Sequence, residues 1–91
     1  MHTVIGDLFA MSTFAIWYFE PPIDSGWLAC DGQNGRIRTW EFSSMEEAET
    51  AAKRESELDK RTIYQAGEYT PETAKKLMKK AVTLWQERRK K

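Results

Sequence analysis

The stretch Thr13–Phe19 reads T-F-A-I-W-Y-F. Its β-branched and aromatic residues are typical of a β-strand, and they place apolar side chains on both of its alternating faces. A strand with two apolar faces is usually central in a sheet and covered on both sides. We therefore expect this strand to organise the fold, and any face left uncovered would form an adhesive surface.

Turn residues divide the sequence that follows this strand. The segment Glu20–Gly26 contains two consecutive prolines and is predicted to be a loop, because proline cannot donate a ladder hydrogen bond. Beyond it, Trp27–Cys30 and Arg36–Phe42 flank the segment Asp31–Gly35, D-G-Q-N-G. Asp-Gly and Asn-Gly favour tight hairpin turns. The two flanking segments therefore predict a β-hairpin.

Two helices are predicted farther along the chain. The first begins at Ser43 or Ser44, since both serines have a glutamate three residues later, as a capping box requires. A short strand, Arg61–Gln65, separates it from the second helix. That helix takes Thr70 as its cap and Pro71 as its first residue. It carries a wide apolar stripe: Ala74, Leu77, Met78, Ala81, Val82, Leu84 and Trp85.

The element order is thus β-β-β-α-β-α. We expect one small α+β domain over residues 13–91, with a mostly antiparallel four-stranded sheet and both helices on one of its faces. Residues 1–12 are expected to form an N-terminal extension or an extra strand, and Met11 is an alternative natural start.

Composition narrows the function classes. The 91 residues include one cysteine, Cys30, so an intrachain disulfide and a Cys-rich zinc cluster are excluded and a cytoplasmic setting is expected. The most apolar stretch, Val4–Phe19, is too short to span a bilayer comfortably and lacks the basic start of a secretory signal. We therefore expect a protein without membrane contact.

Catalytic signatures are missing from the sequence. It has no Gly-rich phosphate loop and no paired nucleophile and base, and its one histidine, His2, lies near the N-terminus. We expect no enzyme activity, no cofactor and no metal site.

Charge is unevenly distributed in this neutral chain. Residues 71–91 contain eight Lys or Arg and two Glu, a net charge of +6 that the first seventy residues balance. A basic helix of this kind is either a solvated face or a phosphate-contacting stripe, and we favour the solvated face. Its cations are Lys75, Lys76, Lys79, Lys80, Arg88, Arg89, Lys90 and Lys91.

The aromatic residues of the sheet are the other candidate surface. With helices on one side only, the opposite face would expose some rings, and an exposed aromatic patch more often marks a protein interface or a dimer seam than a nucleobase platform. The residues expected to bind a partner are Trp17, Phe19, Trp27, Trp40, Lys75, Lys76, Lys79, Lys80, Arg88 and Arg89.

Two segments resemble a known family. The run Phe14–Ala29 (F-A-I-W-Y-F-E-P-P-I-D-S-G-W-L-A), followed by a hairpin and by Ser43–Ala52 (S-S-M-E-E-A-E-T-A-A), is similar to the start of HicB-type antitoxins. The resemblance covers about half of the chain and implies a strand, a turn, a strand pair and a Glu-Glu-Ala helix. The family's Gly-Cys/Thr segment before the helix is missing, so no function follows from the resemblance.

These observations favour a non-enzymatic interaction protein. In size and charge partition the chain also resembles small phage-encoded inhibitors, including anti-CRISPR proteins. The preferred hypothesis is a phage or mobile-element product that binds and blocks a host protein complex. The alternatives are a nucleic-acid-binding module that uses the basic helix and, least favoured, a small enzyme. A neutral chain with exposed aromatic residues also makes a homodimer conceivable.

Overall fold

The computed structural model describes residues 13–22, 24–31 and 37–89. Two helices and two antiparallel sheets give this part of the chain an α+β architecture. None of its helices is both long and apolar enough to cross a membrane. The elements are β1 (Phe14–Glu20), β2 (Asp24–Trp27), β3 (Ala29–Asp31), β4 (Ile37–Thr39), α1 (Met45–Leu58), β5 (Ile63–Glu68) and α2 (Pro71–Arg89). The predictions for residues 1–12, for the hairpin turn at 32–36 and for the last two lysines lie outside the described residues.

Strand β1 is the centre of the main sheet. The strand order is β2-β1-β5 and both pairings are antiparallel. Trp17 lies between Trp27 on one side and Gln65 on the other. Directly paired residues share a face of the sheet, so this register fixes which side chains of the three strands point the same way.

The prediction of one four-stranded sheet is wrong, because β3 and β4 form a separate two-stranded sheet. The chain leaves the main sheet at Leu28. The Leu28 N–H still donates to the Ile16 carbonyl (2.7 Å), but the Leu28 carbonyl accepts from the Trp40 N–H (3.0 Å). Phe42 then returns to pair with Phe14. The same edge of β1 therefore pairs first with β2 and then with Phe42, and the β3–β4 hairpin lies between these two segments in the sequence.

The predicted loop Glu20–Gly26 is shorter than expected. Asp24–Trp27 forms β2, and only the residues just after Glu20 make the turn. Asp, Ser and Gly have low strand propensity, but pairing with the apolar central strand overrides that preference.

The prediction that both helices lie on one face of the sheet is also wrong. Helix α2 covers the face that carries Trp17 and Phe19. The Phe19 ring meets the Trp85 ring edge to face at 5.9 Å between centroids. In the strand beside it, Gln65 Nε2 donates to the Leu77 carbonyl (2.8 Å). Phe19, Ile63 and Ala81 form a buried cluster at this interface.

Helix α1 covers the opposite face. Tyr64 points away from α2, because it alternates with Ile63 and Gln65, and its hydroxyl donates to the Asp59 carboxylate at the end of α1 (3.5 Å). Phe42, which is paired with Phe14 on the same face, borders α1 along a shallow groove. Ile16 is fully buried on this face, as is Ala48 of α1. The three-stranded sheet is thus enclosed between the two helices.

The predicted helix starts are confirmed. Ser44 caps α1, and its hydroxyl accepts from the Glu47 N–H (3.1 Å). Thr70 precedes α2, and its hydroxyl accepts from the Thr73 N–H (3.1 Å). Each side chain satisfies one of the N–H groups that the first helical turn leaves without a backbone partner.

Asp59 organises the turn between α1 and β5. Its carboxylate accepts hydrogen bonds from the Thr62 hydroxyl (2.8 Å) and from the Arg61 N–H (3.1 Å). The Thr62 hydrogen bond is the main cause that holds the pKa of Asp59 below its ordinary value. The hydrogen bonds of the turn therefore favour the ionised form of Asp59.

We expect Phe19→Ala to destabilise the protein by about 3–5 kcal/mol, because it removes a ring that is only 4% exposed between sheet and helix. A loss of that size is a large fraction of the stability of a small domain. Ile37→Ala, at a side chain that is 75% exposed, is the control and should change the free energy of unfolding by less than about 0.5 kcal/mol. Urea denaturation followed by circular dichroism measures both. Equal effects would contradict the assignment of Phe19 to the core.

Acid should weaken the turn at Asp59. Because the folded pKa is lowered, the stabilisation is complete above the unfolded value and is lost as the pH falls through the folded value. Urea denaturation between about pH 7 and pH 3 should show Asp59→Asn less stable than the natural protein at neutral pH, with a gap that narrows in acid. Thr62→Val keeps the carboxylate but removes its main donor, so it should flatten the same pH profile. An unchanged profile in Thr62→Val would contradict this cause.

Candidate functional site

An open groove runs beside α2, on the side where the sheet ends in β2. One wall is formed by Ala74, Met78 and Val82 of α2, and Trp17 of β1 faces them. The groove has a volume of about 800 Å³, similar to that of pockets that hold small molecules. We call it the α2 groove.

The position of α2 explains why the groove is open. The helix lies close to β5 at Gly67, where an added Cβ would come within 2.7 Å of Thr73 and 2.9 Å of Leu77. It then packs on β1 through Trp85 and Phe19. Because α2 is held over β5 and β1, it leaves part of Trp17 uncovered beside the groove.

Two further rings form a row with Trp17 on the same face of the sheet. Trp17 meets Trp27 edge to face at 5.2 Å, and Trp27 meets Tyr69 in the same way at 5.2 Å. The Tyr69 hydroxyl lies 3.1 Å from the Thr39 hydroxyl of β4, so the row also links the main sheet to the hairpin. Such edge-to-face pairs contribute about 0.5–1.5 kcal/mol each beyond burial. Trp17 is therefore held in a fixed orientation.

Two buried polar atoms beside the groove have no hydrogen-bond partner among the described residues. They are Trp17 Nε1, a donor, and Gln65 Oε1, an acceptor. Both residues lie on the α2 face of the sheet, directly paired across β1 and β5. An unpaired buried donor or acceptor costs about 1–3 kcal/mol.

The four lysines of α2 divide into two pairs. Lys75 and Lys79 line the α2 groove together with Thr83. Lys76 and Lys80 are also exposed, but each lies about 100° farther around the helix and does not line the groove. The structure therefore brings together Trp17, Lys75 and Lys79 of the predicted partner-binding residues, with Trp27 packed behind them.

The other predicted partner-binding residues lie elsewhere. Phe19 belongs to the core, and Trp40 lies on the α1 side, 4.8 Å from the Phe42 ring. Arg88 borders a shallow basic depression at the end of α1, whereas the Arg89 guanidinium lies 5.0 Å from the centre of the Trp85 ring. An aromatic sheet face without a helix is not present in the described part of the chain, because a helix covers each face.

Ala74, Met78 and Val82 line the groove, although they are not among the residues that the sequence predicts to bind a partner. The signal was the width of the stripe. Seven apolar positions cover more of a helix surface than a three-stranded sheet can bury, so one border of the stripe stays open.

Titratable side chains are spread over the described residues. No three His, Cys, Asp or Glu side chains in them lie close enough together to hold a metal ion. Burial raises the pKa of Tyr18 and of Tyr64, so both phenols stay protonated at neutral pH. The Tyr18 hydroxyl donates to Asp24 (3.1 Å), which is a structural contact near the β1–β2 turn.

No family model, curated protein or solved structure matches this chain. The residues of the α2 groove are therefore the basis for inference about function.

Replacing each of two alanines of α2 by leucine tests whether the groove is open. Ala74→Leu should change the free energy of unfolding by less than about 1 kcal/mol, because the added atoms enter the groove. Ala81→Leu, on the same helix at a fully buried position, should cost about 1–3 kcal/mol by overpacking. Thermal and urea denaturation of both variants give the comparison. A large cost at Ala74 would show that the groove is closed in solution.

Proposed function

We propose that this chain is a non-enzymatic protein-interaction module that binds another protein, or a protein complex, through the α2 groove. The observation that carries the proposal is the coincidence of an open apolar wall with a fixed tryptophan and two lysines. Interface cores are enriched in aromatic residues and Met, and tryptophan is the residue most often found to dominate binding energy. Trp17 and Met78 meet that description.

The rigidity of the site supports the same proposal. Trp17 is held by Trp27 and, through it, by Tyr69, while Val82 and Met78 rest on the buried cluster below α2. A surface that is already ordered loses little conformational entropy when a partner binds. A small chain can therefore bind tightly without refolding.

A setting is part of the proposal. A small phage or mobile-element inhibitor of a host complex, similar in character to anti-CRISPR proteins, needs only such a surface and no catalysis. The proposal places the chain in the cytoplasm, where a lone cysteine such as Cys30 stays reduced.

Nucleic-acid binding is the second candidate. Lys76 and Lys80 are exposed and do not line the groove, and Arg88 extends the positive charge toward the end of the helix. Phosphate contacts would give a binding constant that falls steeply with salt, by about 0.7–0.9 log units per contact for each log unit of salt. A groove with an apolar wall has no role in that mode, which is why we place it second.

Site-specific photocrosslinking separates the two candidates. A photoreactive amino acid at Thr83, on the groove, should crosslink one discrete protein of the native host. The same residue at Lys80, which is exposed but does not line the groove, should crosslink less. Mass spectrometry identifies the product, and the purified partner should then bind the unmodified chain in low and high salt.

The same experiment can reject the proposal. Crosslinks to nucleic acid, or equal labelling from Thr83 and Lys80, would favour the basic surface over the groove. A purified partner whose binding disappears in high salt would point the same way.

A further inference from the structure

Two lysines, Lys75 and Lys79, lie beside the apolar wall of the α2 groove. We infer that the groove accommodates an acidic amphipathic helix of the partner, with apolar side chains against the Trp17 wall and carboxylates toward Lys75 and Lys79. This inference rests on the proposed function and specifies the class of segment that is bound.

The spacing of the groove residues matches one side of a helix. Ala74, Met78 and Val82 are each one turn apart on α2. At 1.5 Å per residue they extend over about 12 Å. A bound helix presents anchors at i, i+3 or i+4, and i+7 over nearly the same length. Two or three apolar side chains of the partner would therefore fit along the wall.

The lysines repeat at the same interval. Lys75 and Lys79 lie one turn apart beside the apolar wall, about 6 Å along the helix axis. Their methylene stems can extend the apolar surface while the ammonium groups reach solvent. Carboxylates one turn apart on a partner helix would face them in register. A basic partner would meet like charges, which disfavours association.

Met78 suits a wall that adapts to a partner. It lies between Ala74 and Val82 in the groove and is half-buried against the cluster below α2. Unbranched methionine side chains adjust to the shape of whatever packs on them. The wall therefore specifies apolar character and helix length more than one particular side chain.

A second copy of this chain fits the groove less well. Helix α1 is the acidic helix of the chain, with five glutamates against Lys53 and Arg54. Its buried residues, Ala48 and Ala52, already pack on its own sheet. Its exposed large apolar residues, Met45 and Leu58, lie at its two ends, so α1 offers another copy charge without a row of apolar anchors one turn apart.

The test is a titration of the full chain with a labelled helical peptide of about four turns, followed by fluorescence anisotropy. The peptide carries leucines at every third or fourth position and glutamates between them. A matched peptide has lysine in place of each glutamate. We expect the acidic peptide to bind at least about tenfold more tightly than the basic one.

Two double variants of the chain supply the matched control. Lys75→Glu with Lys79→Glu should lower the affinity for the acidic peptide by at least about tenfold and raise the affinity for the basic one. Lys76→Glu with Lys80→Glu makes the same change in net charge outside the groove and should alter affinity by less than about threefold. All four positions are exposed, so the fold should tolerate both changes.

Three results would overturn the inference. They are equal affinity for the two peptides, equal loss in the two double variants, and self-association that is measured by light scattering and abolished by Lys75→Glu with Lys79→Glu. The last result would assign the groove to a second copy. If Thr83 still crosslinks a host protein while the acidic peptide fails, the interaction function stands and this partner class is wrong. If both fail, the proposed function fails too.

Discussion

The constraint on which the rest of this structure depends is the burial of β1 on both faces. The strand carries apolar side chains in each direction, and Ala15, Ile16 and Phe19 are all buried. One helix can cover only one face of a sheet. The fold therefore needs two covering helices. They precede and follow β5 in the sequence, and β5 pairs with β1 between them.

The two covers differ in how closely they fit. Helix α1 approaches the sheet through two buried alanines, Ala48 and Ala52. Helix α2 has a broader apolar stripe than its contact with β1 and β5 uses. Its border toward β2 stays open beside Trp17 and forms the groove. The candidate site is thus a consequence of packing a wide helix on a narrow sheet, with lysines at the limit of the buried surface.

Local signals in the sequence were sufficient for the elements but not for their arrangement. Ser44, Thr70 and Pro71 fix helix starts by backbone hydrogen bonding and φ restriction, which act over a few residues. The segments that contain Trp27 and Trp40 were predicted to be strands of one sheet. The hairpin forms a separate sheet because the Leu28 carbonyl accepts from the Trp40 N–H, whereas the Leu28 N–H still donates to Ile16 in the main sheet. Such pairing between residues distant in sequence is not visible in local patterns. The side of the sheet that each helix covers depends on crossovers, which periodicity does not encode.

The site could be predicted in part for the same reason. Trp17, Lys75 and Lys79 stood out by residue type, and they do lie together. Phe19 has the same chemistry as Trp17 and shares its face of β1, yet it lies under Trp85 while Trp17 lies at the edge of the helix. Two residues along one strand separate a core residue from a groove residue, and only the axis of α2 decides between them.

The order of the elements along the chain has a consequence for biosynthesis. Strand β1 leaves the ribosome well before α1, β5 and α2, the segments that cover and pair it. Until α2 has been made, the aromatic side chains of β1 have no stable partner and are exposed to other nascent chains and to chaperones. Folding to the native state is therefore delayed until the last helix emerges, and premature termination before α2 would yield an adhesive product instead of a smaller stable domain.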